Sequence, residues 1–352
     1  MSKNNVFGLT LVELEEVALQ LSLPKYVGKQ LAQWLYQKRV TSFESMTNLS
    51  LKARETLSQH YTIGRIPPSA QVVSQDGTVK YLFPCALTLQ STASVAQAVE
   101  TVYMPEEDRA TLCVSTQAGC KMRCAFCMTG TLGFHGNLTA ADILNQIYSI
   151  PQSETLTNLV FMGEGEPMDN LDQVLKAITI ITAPYGLGFS PKRITVSSVG
   201  ITPQIKHFLD SCECHLAISL HNPFALERQD IMPTEKAYPI EQTVAMLKTY
   251  FGTQSQRRLS FEYICWGGVN DDIRHAKALV KLLSGLTCRV NLIRFHQGVD
   301  AINGNLFKPS DEIRMIAFRD YLTRHGITTT IRRSRGEDIL AACGQLINQL
   351  AS

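Results

Sequence analysis

Apolar positions in the first sixty residues recur at helical spacing. Leu11, Leu14, Val17, Ala18 and Leu21 make one stripe and Leu31, Trp34 and Leu35 begin another, so helices are predicted over 10–62. Ile66-Pro67-Pro68-Ser69 stops the pattern, because proline supplies no backbone donor and restricts the residue before it. Between Val72 and Tyr103 the chain turns β-like. Asp76-Gly77 suits a hairpin turn ahead of 78–83, and Val99-Glu100-Thr101-Val102-Tyr103 alternates between faces, which predicts a small β extension. Beyond Thr111, β-rich runs at 112–115, 158–162, 193–198, 215–220, 259–265, 290–295 and 328–332 are separated by amphipathic segments. Alternation of this kind predicts parallel strands joined by crossover helices. Thr139 with Asp142 reads as a capping box ahead of Ile143, Leu144 and Ile147, and Ser310 is placed as the cap of a helix that stops at Gly326. The expected architecture is α/β, a full or partial (β/α) barrel over 106–352, with a helical domain over 1–66 and the β extension over 67–105.

In barrels of this class the reactive groups lie past the carboxyl ends of the strands. Here Cys120, Cys124 and Cys127 follow the first strand, and Gly163-Glu164-Gly165-Glu166 follow the second. Ser197 and Ser198 end the third, Ser219-Leu220-His221 the fourth, and Arg294-Phe295-His296 the sixth. One rim therefore collects most of the candidate chemistry.

Composition narrows the picture. At 352 residues, 45% hydrophobic and 18% charged, the chain can bury one large core and a small extra domain. A formal charge of +2 gives no general attraction to polyanions, so a nucleic-acid partner would be met by a local basic surface. The opening 65 residues carry eight Lys or Arg against five Glu, a surplus of three that suits a solvated helix face as well as phosphate contact. The N-terminus has no charged-then-apolar signal layout and no apolar run is long enough to span a bilayer, so a cytoplasmic protein with no membrane partner is expected. Ten cysteines in so large a chain, three of them clustered, point to a metal site or reactive thiols rather than a disulfide framework.

The densest signal is Cys120-Lys-Met-Arg-Cys124-Ala-Phe-Cys127, three thiols in eight residues on a loop after a strand. Thiolates this close select a soft metal or an iron–sulfur cluster, the alternative being a zinc site short of its fourth ligand or plain buried cysteines. Three ligands on four irons would leave one iron open to a cofactor. Other residues are bland in isolation. Glu100 reads as a surface strand glutamate, and Cys343, in Ala341-Ala342-Cys343, as helix packing. His221 reads as a structural histidine, and Arg332, Arg333 and Arg335 as a salt-bridged patch or a phosphate contact.

The three-cysteine loop with the aromatic Phe126 resembles that of radical S-adenosylmethionine (SAM) enzymes. Leu112-Cys113-Val-Ser-Thr-Gln-Ala-Gly-Cys120, Gly130 with Gly133-Phe134, Asn137-Leu138-Thr139 and the closing Arg335-Gly336-Glu337-Asp338-Ile339 and Ala341-Ala342-Cys343-Gly344-Gln345-Leu346 are similar to the RlmN/Cfr family of RNA methyltransferases. The likeness runs from about Gly8 to the C-terminus. It implies a radical SAM partial (β/α)6 barrel, a 4Fe–4S cluster on Cys120, Cys124 and Cys127, and SAM as both methyl source and radical source. It further implies that Cys343 takes a methyl group, that a methylene radical made from it adds to an adenine, and that Cys113 resolves the covalent adduct through a transient disulfide. Glu100, thirteen residues before Cys113, matches the carboxylate that removes the carbon-2 proton. Gly165 and Glu166 match contacts to the SAM amino group, while Ser197, Ser219, Leu220 and His221 match positions lining its ribose and carboxylate. Two positions depart from the family pattern: Glu164 stands where relatives usually carry Met, and His296 where many carry an Asn that touches SAM.

The resemblance implies 23S rRNA and tRNA as partners, at a peptidyl-transferase-centre adenine and at adenine 37 beside the anticodon. A monomer served by a reductant such as flavodoxin or ferredoxin is expected. Reaching carbon 2 requires an unpaired or flipped base, so a loop in structured RNA is the sensible substrate. Methylation at carbon 8, as in the Cfr branch, uses the same cysteines, although 335–338 look more like the RlmN side. A reading from another class is a non-methylating iron–sulfur RNA-binding protein, for which Cys113 and Cys343 would be spare thiols.

Overall fold

The computed structural model describes residues 3–85, 98–251, 256–295, 307–341 and 346. Short strands β1 (Asn4–Asn5) and β2 (Tyr61–Thr62) pair in parallel and enclose the helices Leu11–Gln20, Tyr26–Ala32 and Leu51–His60. Thr10 caps the first helix through a box with Glu13, and Ser50 caps the third. Their buried faces, including Leu14, Val17, Leu31 and Leu57, join the same apolar core as the barrel. Lys176 pairs with Glu13 at 2.6 Å and the rings of Phe7, Tyr36 and Tyr148 stack edge to face, so these helices brace the barrel's outer layer.

A ten-stranded sheet forms the body of the molecule, with β14-β13-β12-β11-β10-β9-β6-β5-β4-β3 as neighbours. Strands β3 (Ala70–Val73), β4 (Val79–Pro84), β5 (Ala98–Pro105) and β6 (Ala110–Cys113) are antiparallel, the first turn being the expected hairpin with Gly77 at φ +83°. From β6 the sheet runs parallel through β9 (Asn158–Phe161), β10 (Ile194–Ser198), β11 (His215–Ser219), β12 (Leu259–Cys265), β13 (Arg289–Arg294) and β14 (Thr328–Ile331). Seven parallel strands and six crossovers make an open, partial barrel whose described edges are β3 and β14. The β extension is continuous with the barrel sheet, because β5 pairs directly with β6. One expectation changes. The helix Glu312–Arg324 is capped by Asp311, which accepts from the Ile313 N–H, while Ser310 donates instead to Asp271.

Cross-strand partners share a face, so the register sorts the side chains. Cys113 pairs with Val160, Val160 with Thr195, and Thr195 with His215. Ser219 pairs with Glu262, Glu262 with Asn291, and Asn291 with Thr330. This inner face is polar. The opposite face, with Leu112, Leu159, Val196, Leu216, Phe261 and Leu292, is buried in the core under the helices. Ser260 and Asn291 both donate to the half-buried Glu262, at 2.9 and 2.8 Å, which satisfies a carboxyl that burial would otherwise penalise.

Candidate active site

The cysteine loop hangs from a two-stranded ribbon that the sequence reading missed, β7 (Gln117–Gly119) against β8 (Phe134–Asn137). A Cβ on Gly119, at φ +71°, would lie 1.8 Å from the Gly133 carbonyl oxygen, and the Cys120 N–H donates to that same oxygen at 2.9 Å. Only glycine closes the ribbon this tightly. The single helical turn Met128–Thr131 follows, with the Gly130 N–H on the Cys127 carbonyl at 3.1 Å. Cys124 is buried and Cys120 and Cys127 half-buried. Burial pushes the Cys120 thiol up to about 12, and raises Cys124 and Cys127 as well, with neighbouring cysteine charges adding to the shift at Cys120 and Cys124. Bare, these would be neutral thiols. Cationic iron is the kind of partner that makes such thiolates stable. Among the described residues no group of three Cys, His, Asp or Glu is drawn together round a single metal ion, and a cluster would offer each thiol its own iron. Phe126 packs against His221 and Trp266 at 4.7 and 5.4 Å between centroids, and Cys124 lies in an apolar cluster with Ile231, Met232 and Trp266.

Past β9, Gly165 takes φ +91°, where a Cβ would sit 2.4 Å from that of Gln117. The turn delivers Glu166 into a buried position. Its Oε2 accepts the Val199 N–H at 2.9 Å and its Oε1 that of Met168 at 3.1 Å, while burial raises its carboxyl to about 7. Ser197 donates to the Phe161 carbonyl at 2.7 Å from the inner face, where Ser219 also lies half-buried. Leu220 is core, and only its backbone is polar. At His221, φ is +55° and Nδ1 accepts the Ile264 N–H at 3.1 Å, so the ring carries its proton on Nε2; burial lowers it to about 3.

Sequence reasoning also missed Arg228. This fully buried guanidinium donates to the carbonyls of Val199 (2.8 Å), Ser219 (2.9 Å) and Leu220 (3.0 Å), and pairs with Glu235. It ties the ends of β10 and β11 together under the SAM-matched positions. No local motif announces it.

Glu100 is not a surface residue. Lys80 pairs with it at 2.9 Å, the two side chains being 1% and 0% exposed, and its backbone N–H donates to Glu164 Oε1 at 2.7 Å. Lys80 pairs with Val102 and Val102 with Cys113, so Lys80, Glu100 and Cys113 all project from the inner face. Neither Lys80 nor Glu164 was singled out as functional from sequence, since a strand lysine ordinarily points to water.

The C-terminal segment docks on the β3–β4 turn. Asp338 accepts from Ser74 Oγ at 2.5 Å and the Gln75 N–H at 3.1 Å, and Asp76 accepts from the Gly336 N–H at 3.2 Å with Arg335 at 3.7 Å. Arg335 is thus ion-paired, whereas Arg333 is exposed. Farther on, the buried Leu346 accepts at its carbonyl from Thr129 Oγ1, two residues past Cys127, at 3.2 Å. Cys343 and His296 lie outside the described residues. Among the described cysteines, Cys120, Cys124, Cys127, Cys212, Cys214, Cys265 and Cys288 are free thiols. A 450 Å³ cleft lined by Asn137, Asp169, Gln173 and Gln204 contains none of the candidate residues. No helix among the described residues is long and apolar enough to cross a membrane.

The partial barrel and the cysteine loop past its first strand define a protein of the radical SAM superfamily, whose model matches residues 114–280. Residues 4–63 match the ribosomal RNA large subunit methyltransferase N-terminal domain. A probable dual-specificity RNA methyltransferase RlmN of Bacteroides fragilis is 55% identical over 346 residues, 98% of this chain and 97% of that protein. The dual-specificity RNA methyltransferase RlmN of Geobacter sulfurreducens is 40% identical over 98% of this chain and 92% of its own length. A solved radical SAM methyltransferase from Sphaerobacter thermophilus superposes with a TM-score of 0.88 at 35% identity, covering 98% of this chain and all of that one. The chain belongs to the RlmN family.

Proposed function

We propose that this protein methylates carbon 2 of adenine in 23S rRNA, at the peptidyl-transferase centre, and in tRNA at adenine 37. The observation that carries this reading is the common inner face of Glu100 and Cys113, alongside a C-terminal segment that returns to the cysteine loop at Leu346. The names of the relatives support RNA as substrate. Cys120, Cys124 and Cys127 would hold a 4Fe–4S cluster, which when bound supplies the electron that splits SAM into methionine and a carbon radical. Gly165 would let the backbone approach SAM, Glu166 would take its ammonium, Ser197, Ser219, Leu220 and His221 would serve its ribose and carboxylate, and His296 would touch it in place of the Asn of relatives. Cys343 carries the methyl group to the base. Glu100 takes the carbon-2 proton as the adduct gives up its surplus electron; the Cys113 thiolate then attacks the Cys343 sulfur, the sulfur–carbon bond breaks with its electron pair on the methylene carbon, which is protonated to the methyl product, and the two cysteines are left as a transient disulfide.

In this reading residues 1–66 form a bracing accessory domain, 67–105 carry Glu100, and 106–352 the radical chemistry. The protein works in the cytoplasm as a monomer, recharged by a flavodoxin or ferredoxin. Mass spectrometry of adenosines from rRNA and tRNA treated with the reconstituted protein should find 2-methyladenosine. Detection of the 8-methyl isomer alone, or of no methylated adenosine, would overturn it.

A further inference from the structure

Lys80, Glu100 and Glu164 bring one ammonium and two carboxyls together where none is exposed. Ser115 locks the arrangement. Its hydroxyl donates to the Glu100 carbonyl at 2.6 Å and accepts the Glu164 N–H at 2.8 Å, fixing both backbones. We infer that Lys80 and Glu164 are positioning residues for Glu100: Lys80 holds it as a carboxylate ready to take a proton, and Glu164 opposes that ionisation while fixing the strand that carries it. The inference rests on Glu100 being the base.

A buried carboxyl with no counter-charge becomes neutral, and a neutral acid cannot accept a proton. The Lys80 ammonium at 2.9 Å favours the charged form. Glu164 acts in the other direction, because a second buried carboxylate, its Oε1 2.7 Å from the Glu100 nitrogen, repels a charge on the Glu100 side chain. Against Glu100, β4 presents Lys80, β6 presents Cys113, and the turn after β9 presents Glu164. The cysteine loop contributes Cys127, whose thiol feels the Glu164 charge. On the opposite face Thr101 meets the neutral Gln146. In the step itself the carbon-2 proton moves to a Glu100 oxygen, the electron pair of the C–H bond stays on the ring, and the adduct's one surplus electron leaves to the one-electron carrier of the proposed function, the flavodoxin or ferredoxin couple. The arriving proton cancels the attraction to Lys80 and relieves the repulsion from Glu164, so the two neighbours set the base strength between them.

The two substitutions should therefore move one pH profile in opposite directions. With the reconstituted enzyme and an RNA substrate, the fraction held as covalent protein–RNA adduct is read on denaturing gels across pH. Lys80→Met should shift the acid limb of adduct release upward by about 1–3 pH units. Glu164→Gln keeps an acceptor for the Glu100 N–H but removes the charge, and should shift the limb downward. In cofactor-free protein, infrared titration of Lys80→Met should show a protonated carboxyl persisting to higher pH than in wild type. Should Lys80→Met fail to fold, Glu164→Gln decides alone. Limbs that stay fixed or move together in both variants overturn the inference. A Glu100→Gln enzyme that releases product at the wild-type rate overturns instead the assignment of the base; one that stalls as adduct while Lys80→Met and Glu164→Gln leave the limb in place sinks the positioning roles alone.

Discussion

Arg228 gives the sharpest stability test. Its side chain is wholly buried, its partner Glu235 nearly so, and three backbone carbonyls depend on its remaining donors. Replacing it with Met of similar volume leaves the Glu235 carboxylate without its cation and the carbonyls of Val199, Ser219 and Leu220 without these donors. Breaking one side of a buried ion pair costs about 3–5 kcal/mol. Two bonds from the Ile240 N–H to Glu235, at 3.1 and 3.2 Å, offset part of this and favour the lower end, ~3 kcal/mol. Solvent screening gives no discount at a site with so little water. Urea denaturation followed by tryptophan fluorescence should lower the unfolding free energy by that amount, read as a lower midpoint with an unaltered slope. Arg228→Lys keeps the charge but loses the planar fork and should fall in between. The double variant Arg228→Met/Glu235→Gln removes both charges and should recover about 1–3 kcal/mol as a coupling energy. A loss under ~1 kcal/mol for Arg228→Met, or no coupling in the cycle, would refute the view that this guanidinium ties the strand ends.

Two further outcomes follow from local geometry. Gly165→Ala forces a Cβ to 2.4 Å from Gln117 at φ +91°, so it should destabilise by about 1–3 kcal/mol and weaken SAM binding, as read by calorimetry with and without SAM; an unchanged melting point would show that the turn adapts freely. Asp338→Ala should speed amide exchange of 334–341 by roughly two- to fivefold, a modest factor because the contact is exposed. The companion Asp76 has its carboxyl lowered to about 2 against an ordinary 3.8 by hydrogen bonds from Thr78 and Gly336, which outweigh an opposing burial effect. A lowered carboxyl contributes fully above its unfolded value and is lost as pH falls toward the folded one. Protection factors over 334–341 should then be flat between about pH 5 and 8 and fall only below about 4. A decline near neutrality would assign the docking to other groups.

What could be read in the sequence was what is local. Three thiols in eight residues announce themselves, and the seven parallel strands were found within two residues of their ends because each is a short β-rich run set between amphipathic helical segments, as Leu259-Ser-Phe-Glu-Tyr-Ile-Cys265 is. The ribbon β7–β8 was missed because its short strands are rich in Gly and owe their pairing to the approach of Gly119 to Gly133, a backbone contact that leaves no hydrophobic period. Glu100 in isolation was misjudged and Lys80 passed over for a different reason. Charges within strands normally face water, and only the register of β4, β5 and β6, set across tens of residues, turns them inward together. Arg228 and Glu235 are likewise joined by folding rather than by motif.

The same register explains why one molecule can house two incompatible kinds of chemistry. Strands buried on both faces of a parallel sheet are usually apolar throughout. Here the inner face is lined by Cys113, Ser197, Ser219, Glu262 and Asn291, which suits proton and thiol steps that need charge and hydrogen bonds. The cysteine loop instead backs onto Cys124, Ile231, Met232, Trp266 and Phe295, with Phe126 and the neutral His221 between. A carbon radical survives best where nothing donates a hydrogen atom readily and little water enters. In the proposed reaction the apolar wall would shelter radical formation, and the polar strip carrying Glu100 and Cys113 would finish the product. A charge introduced at Ile231 or Met232 should therefore injure radical formation, and one removed at Lys80 should injure release.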